Sequence, residues 1–155
     1  MAILVALLAP NVLKYIEKSK FGKDINSLDS VRLGVEAELM DEELSNYTTN
    51  SKWVALKKIK GATTGMEKSL SDRLFGDAQV LSVDFEDGNP FTSKTAAAAE
   101  IYIYVDGNGG IAVAGVASGA IVSYNGEDLV VSSKLDTIPA FSTDAGGDES
   151  EEAGE

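Results

Sequence analysis

Carboxylate and amide side chains gather in two short turns whose composition could support metal or acid–base chemistry. The first runs from Asp84 to Asn89 and the second from Asp106 to Asn108. Calcium prefers several oxygen ligands of this kind. In the second turn, however, Gly110 occupies the third ligand position of an EF-hand and no glutamate follows at the twelfth. Asp, Asn and Gly are also the residues that backbone reversals require, so we predict turns without a bound metal.

Two tyrosines, Tyr102 and Tyr104, lie on the same face of a predicted strand. They could line a sugar-binding surface, with Asp84, Glu86 and Asp87 as the acids of a carboxylate-based hydrolase. They could equally form a second buried face or a contact between subunits. The usual behaviour of aromatic side chains favours burial or contact.

The segment from Gly61 to Ser69 lies between a strand-like stretch and a predicted helix, as a phosphate-binding loop would. Its spacing is wrong, because Met66 and Glu67 separate Gly65 from Lys68 and Glu67 would repel phosphate. The chain also contains neither cysteine nor histidine, which excludes thiolate chemistry, disulfides and the commonest metal ligand. We therefore expect no enzyme activity, no catalytic or metal-binding residue and no cofactor.

The elements that position these residues are mainly strands in the second part of the chain. Short apolar runs alternate with Gly- and Asn-containing turns, a pattern typical of an antiparallel meander. The predicted strands cover residues 80–85, 100–105, 111–117, 120–124 and 128–132. We predict a β-rich α+β fold, an antiparallel sandwich or partly open barrel with two or three short helices.

The first part of the chain is less regular. An apolar run from Met1 to Ala9 precedes Pro10, and a short helix is expected over residues 10–19. Residues 31–39 fit both an alternating strand and a helical stripe, and Gly34 favours the strand because glycine weakens a helix interior. A strand is predicted over residues 52–60. The spacing of Met66, Leu70 and Leu74 predicts a helix that ends at Gly76.

The net charge of −12 argues against binding to nucleic acid, which relies on cationic side chains. Residues 142–155 hold six acids and no base, which predicts a flexible tail that either solubilises the chain or contacts a basic protein surface. Residues 1–20 are expected to form an apolar arm with a short helix, and residues 21–141 a single β-rich domain. The apolar run is too short to span a bilayer, so we expect no membrane association, and a virion or the cytoplasm as the location.

Two segments hold more apolar surface than a chain of this size readily hides. They are residues 1–9 and the small-residue strand of residues 109–120. We expect them to contact other copies or other structural subunits through Ile3, Leu4, Val5, Leu7, Leu8, Ile111, Val113 and Val116. The sequence thus predicts a self-assembling structural protein, by analogy a virion component such as a phage capsid decoration protein or tail-tube subunit. The alternative is a monomeric ligand- or carbohydrate-binding module or a carboxylate-based hydrolase.

Overall fold

The structure is a computed structural model that describes residues 2–76, 80–81 and 90–142, with the backbone alone at residues 2–8. Within these ranges there are three helices and seven strands. The helices are Ala2–Leu39 (α1), Leu56–Lys60 (α2) and Gly65–Phe75 (α3). The strands are Val54–Ala55 (β1), Glu100–Val105 (β2), Ile111–Ala117 (β3), Ala120–Ile121 (β4), Ser123–Tyr124 (β5), Glu127–Asp128 (β6) and Val130–Ser133 (β7).

Strands β2 and β3 form the centre of a five-stranded antiparallel sheet. Ile103 of β2 pairs with Val113 of β3, and β1 continues the sheet beyond β2. The other edge of β3 pairs with two strands, because β7 takes residues 111–114 and β4 takes residues 116–117. Strands β5 and β6 form a second, two-stranded sheet. The fold is therefore α+β with an antiparallel sheet, while closure into a sandwich or barrel stays a prediction.

Gly115 divides the outer edge of β3 between its two partners. Its N–H donates a hydrogen bond of 2.9 Å to the Leu129 carbonyl, and its own carbonyl accepts one of 2.9 Å from the N–H of Val122. A Cβ atom at this position would lie 2.4 Å from Cδ2 of Leu129. Glycine is therefore required where the chain leaves the sheet for the β5–β6 hairpin and returns to it.

The central strands bury both of their faces. Ile101, Ile103 and Val105 alternate along β2 and belong, with Ile111 and Val113, to the main core beneath the helices. The intervening residues of β2 and β3 form a second cluster on the opposite face, together with Trp53 from the segment before β1. The strand residues of this cluster are Tyr104, Ala112, Ala114 and Val116. Burial on both faces explains why β3 reads as a nearly continuous apolar run.

The helix α1 corrects two predictions for the first part of the chain. Its 38 residues form one helix that passes through Pro10 and Gly34. The helix predicted over residues 10–19 is therefore confirmed in type but wrong in its bounds, and the strand predicted over residues 31–39 is wrong. Phe21, Leu28 and Val31 are at most 1% exposed and recur at helical spacing. Gly34 is tolerated because residues 80–81 approach it closely: an added Cβ would lie 3.1 Å from Cγ1 of Val80.

The other predicted elements divide into three groups. The helix over 65–75 and the strands over 100–105 and 111–117 are confirmed. The predicted strand over 52–60 is wrong for most of its length, since only Val54–Ala55 is a strand and a helix follows it. The predicted strands over 120–124 and 128–132 each divide between the two sheets. Most of the predicted strand over 80–85 and nearly all of the acidic tail lie outside the described residues.

Candidate assembly surface

The inner half of α1, residues 21–39, is fixed to the body by a narrow apolar stripe. Phe21, Leu28, Val31 and Val35 are buried in the main core and span about 80° of the helix circumference at 100° per residue. The ring of Phe21 also lies 5.6 Å from that of Tyr124 in the β5–β6 hairpin. This stripe therefore decides which side of the helix faces the sheet.

Asp24, a fully buried acid within that stripe, binds the loop that precedes β2. One carboxylate oxygen accepts hydrogen bonds from the N–H of Thr92 at 2.7 Å and from its hydroxyl at 3.1 Å. The second oxygen accepts the N–H of Ser93 at 2.9 Å. Three donors satisfy a carboxylate that would otherwise be costly to bury.

Glu17 makes a similar contact two helical turns earlier. One of its carboxylate oxygens accepts hydrogen bonds from both the N–H and the hydroxyl of Thr95, each at 2.8 Å. The Thr95 N–H bond is the main reason that the pKa of Glu17 lies below its ordinary value of 4.5. We call Glu17 and Asp24 the carboxylate clamps, because they hold two points of one loop about 10 Å apart along the helix.

The outer half of α1, residues 2–20, lacks such cover over its described side chains. From residue 9 to residue 20 every side chain except Glu17 is exposed. Four large apolar or aromatic side chains occur within five positions: Val12 is 51% exposed, Leu13 64%, Tyr15 75% and Ile16 45%. At 100° per residue they spread over about 160° of the circumference. We call these four residues the apolar arc.

The contact residues predicted from the sequence fall in two different environments. Five of them lie in α1, but their side chains are outside the described part of the structure: Ile3, Leu4, Val5, Leu7 and Leu8. Ile111, Val113 and Val116 are only 1%, 0% and 5% exposed within one chain. The contact predicted for β3 stays a prediction, but little of these three side chains is left for a partner to cover.

The two tyrosines of β2 lie in an aromatic cluster. Tyr104 is 8% exposed and its ring lies 5.7 Å from that of Trp53. Tyr102 meets Phe141 edge-on at 5.1 Å between ring centres. The segment that carries Phe141 is held by Trp53, whose indole N–H donates to the Ala140 carbonyl at 3.2 Å. Tyr104 is thus a core residue, while Tyr102 remains half-buried beside an open groove.

That groove has a volume of about 410 Å³ between Thr48 and Lys58. Trp53, Tyr102 and Glu67 contribute to its lining. Tyr47 lies next to Thr48 in the chain, and burial, helped by the charge of Glu67, raises the pKa of Tyr47 to about 12. The buried hydroxyl of Tyr47 has no hydrogen-bond partner among the described residues.

The remaining candidates for chemistry are used by the fold or lie beyond the described ranges. The Asp106 carboxylate accepts the N–H groups of Asn108 at 2.8 Å and Gly110 at 2.6 Å, which confirms the predicted turn. Lys68 pairs with Asp72 along α3. Asp84, Glu86 and Asp87 lie outside the described residues. Where the chain is described, no group of three or more acids is placed to hold a metal ion.

Sequence reasoning missed the carboxylate clamps because it divided α1 into separate elements. The signal was available in the spacing of Phe21, Asp24, Leu28, Val31 and Val35, which repeats every three or four residues. An acid inside such a stripe indicates a buried polar contact. The partner loop could not be identified from the sequence, since 68 residues separate Asp24 from Thr92.

No known family model matches the sequence, and no curated protein or solved structure shows significant similarity to it. Among the described residues, no helix combines the length and apolar content needed to cross a membrane.

Proposed function

We propose that this chain is a structural protein that self-assembles through the outer half of α1. The single observation that carries the proposal is the apolar arc, which leaves four large side chains 45–75% exposed on one short stretch of helix. Burying the exposed part of each would contribute about 1 kcal/mol. A helical segment that lacks tertiary cover is marginal in water, so a partner would also stabilise the helix itself.

The breadth of the arc favours a filament over a closed dimer. A single neighbouring helix covers a narrow stripe, whereas an arc of about 160° offers room for more than one neighbour. Contacts that join different surfaces of identical copies, and that do not close into a ring, generate an open helical filament. We infer that the outer half of each α1 packs along α1 of neighbouring copies, so that the helices form the core of the filament and the sheet-bearing bodies lie on its outside.

A virion component is the narrower form of this proposal. It rests on the composition of the chain, which has no cysteine, and on the antiparallel sheet. A capsid decoration protein or tail-tube subunit would use the same exposed helix as its contact. The sandwich or barrel closure and the virion or cytoplasmic location belong to this narrower form as well.

The test is the assembly state of purified protein over a wide concentration range, measured by analytical ultracentrifugation and negative-stain electron microscopy. We expect the wild type to form large species as its concentration rises. The variant Val12→Gln/Leu13→Gln/Ile16→Gln should remain a 16.3 kDa monomer with unchanged helical circular dichroism. Glutamine suits this test because it removes apolar surface and keeps helix propensity.

The matched control is Met66→Gln/Ile138→Gln, because these side chains are 46% and 38% exposed but lie outside α1. It should assemble like the wild type. A wild type that stays monomeric at every concentration would contradict the proposal. So would a triple variant that assembles at the same concentration as the wild type.

A second candidate function is the binding of a small polar ligand, such as a sugar, in the groove beside Tyr102. Its volume of about 410 Å³ lies in the range of ligand sites, and an aromatic ring next to charged side chains is a common sugar-binding arrangement. Trp53 lines the groove and is the only tryptophan, so its fluorescence reports on occupancy. Saturable quenching by soluble oligosaccharides that Tyr102→Ala abolishes would support this function, and an unchanged emission would exclude it.

A further inference from the structure

The charge of the outer end of α1 is opposite to that of the body. Residues 1–23 carry Lys14, Lys18, Lys20, Lys23 and one acid, Glu17, which gives a net charge of +3 in a chain whose total is −12. The four lysines are exposed. None of them forms a salt bridge with any residue that the structure describes. The outer end of α1 is therefore positively charged, although the chain as a whole is negatively charged.

The charges in the middle of α1 are compensated within the chain. Arg32 pairs with Asp29 at 2.8 Å and with Glu36 at 2.7 Å. Glu36 also binds Lys134 at 3.1 Å, and this contact lowers the pKa of Glu36. Two acids and two bases thus form a neutral group. It contributes no net attraction to a neighbour.

The inner end of the helix and the turn after it carry an uncompensated negative charge. Glu38, Asp41 and Glu43 surround Arg73 at 3.6, 3.0 and 2.9 Å, respectively. The exposed Glu42 lies between two of them in the sequence. Four carboxylates against one guanidinium give this group, which we call the acidic turn, a net charge of −3. Its net charge is equal in magnitude and opposite in sign to that of residues 1–23.

We propose that the lysine-bearing face of the outer half of α1 docks on the acidic turn of a second copy of this chain. Lys20 and Lys23 are the contact lysines, because they follow Ile16 by four and seven residues and so continue the same helix face. Lys20 lies 19 residues before α1 ends at Leu39, where the acidic turn begins, so such a contact offsets neighbouring copies by about 30 Å along the helix. The inference rests on the proposed self-assembly through α1 and specifies the axial offset between neighbouring copies.

Charge placement of this kind selects a register more than it strengthens binding. In-register copies of like orientation would place lysines beside lysines and acids beside acids, which is repulsive. The offset arrangement brings opposite charges together and places the apolar arc of one copy beside the inner half of α1 of its neighbour, where Leu33 is 53% exposed. We therefore expect the contact to determine the order of the assembly and its sensitivity to salt.

The test uses two charge-reversed variants, Lys20→Glu/Lys23→Glu and Glu42→Lys/Glu43→Lys. Each variant alone presents like charges at both sides of the contact, so its half-assembly concentration should rise by about tenfold or more. An equimolar mixture restores opposite charges at every contact, because the acidic helix of one variant meets the basic turn of the other. We expect the mixture to assemble at the wild-type concentration.

The matched control is Lys57→Glu/Lys58→Glu, which changes the net charge by the same amount as the lysine variant at two exposed positions of α2. It should assemble like the wild type. Wild-type assembly should also weaken between about 0.1 M and about 1 M NaCl, as the Debye length shortens from about 10 Å to about 3 Å. This second readout needs no variant to fold.

The outcomes separate the register from self-assembly itself. If the wild type assembles but both reversed variants assemble equally well, or if their folded mixture fails to assemble, the proposed contact is wrong and self-assembly stands. Assembly of the wild type that is independent of salt would also overturn it. If the wild type never assembles, the proposed function fails.

Discussion

The two halves of α1 have opposite environments. In the inner half, Phe21 and Leu28 are at most 1% exposed, whereas Leu13 and Tyr15 in the outer half are 64% and 75% exposed. The inner stripe is narrow and faces one sheet, while the outer arc covers about twice its angle. The width of an apolar face, together with its amount, thus distinguishes a helix that serves one core from one that has surface left for several neighbours.

The largest expected effect compares one leucine from each half. Leu28→Ala should lower the free energy of unfolding by about 3 kcal/mol, because it leaves a cavity in the main core. Leu13→Ala should change it by less than about 0.5 kcal/mol, because the side chain is exposed in the monomer. Urea titration at a concentration where the chain is monomeric measures both values. Equal losses at the two positions would remove the distinction between the halves.

A smaller effect is expected at the buried carboxylate clamp. Asp24→Ala should lower the free energy of unfolding by about 2 kcal/mol, since Thr92 and Ser93 lose their acceptor. The amide protons of these two residues should also exchange faster with solvent. Glu42→Ala is the control, because the exposed carboxylate of Glu42 forms no hydrogen bond or salt bridge with a described residue and its backbone carbonyl, which accepts from Ser45, is retained. If Asp24→Ala and Glu42→Ala had the same free energy of unfolding, the hydrogen bonds of Asp24 would contribute nothing to stability and the prediction would be wrong.

The smallest effect concerns the outer clamp and depends on pH. Because the pKa of Glu17 is lowered in the folded chain, its stabilising contribution is present above pH 4.5 and is lost as the pH falls through the lowered pKa. Glu17→Gln should therefore be less stable than the wild type at neutral pH, by less than about 1 kcal/mol. The difference should disappear in acid. A difference that is constant from neutral pH to acid would rule out the charge of Glu17 as its source.

The sequence predicted the parts of the fold whose signals are local. The hairpin of β2 and β3 was found because a short apolar run lies on each side of the turn at Asp106, whose carboxylate does cap that turn. Helix α3 was found from the spacing of Leu70 and Leu74, both of which are buried. These elements require little knowledge of the rest of the chain.

The continuity of α1 could not be predicted in the same way. Pro10 and Gly34 ordinarily end or weaken a helix, and only the tertiary structure shows why Gly34 fits. Its missing side chain makes room for Val80 and Leu81, which lie far away in the sequence. The exposure of the apolar arc could not be predicted for the same reason, because the sequence does not show whether the rest of the fold covers an apolar helix face. The narrower choice of a virion component stays a prediction.

The two carboxylate clamps also determine how the body would resist a pulling force. In a filament held together by α1, tension between the helical core and the body runs along the helix axis. The bonds from Glu17 and Asp24 lie two turns apart on that axis and join the same loop, so both are loaded at once in shear. Bonds loaded in parallel must break together rather than open one after another. The same contacts that position the helix would therefore make the body a mechanically durable attachment.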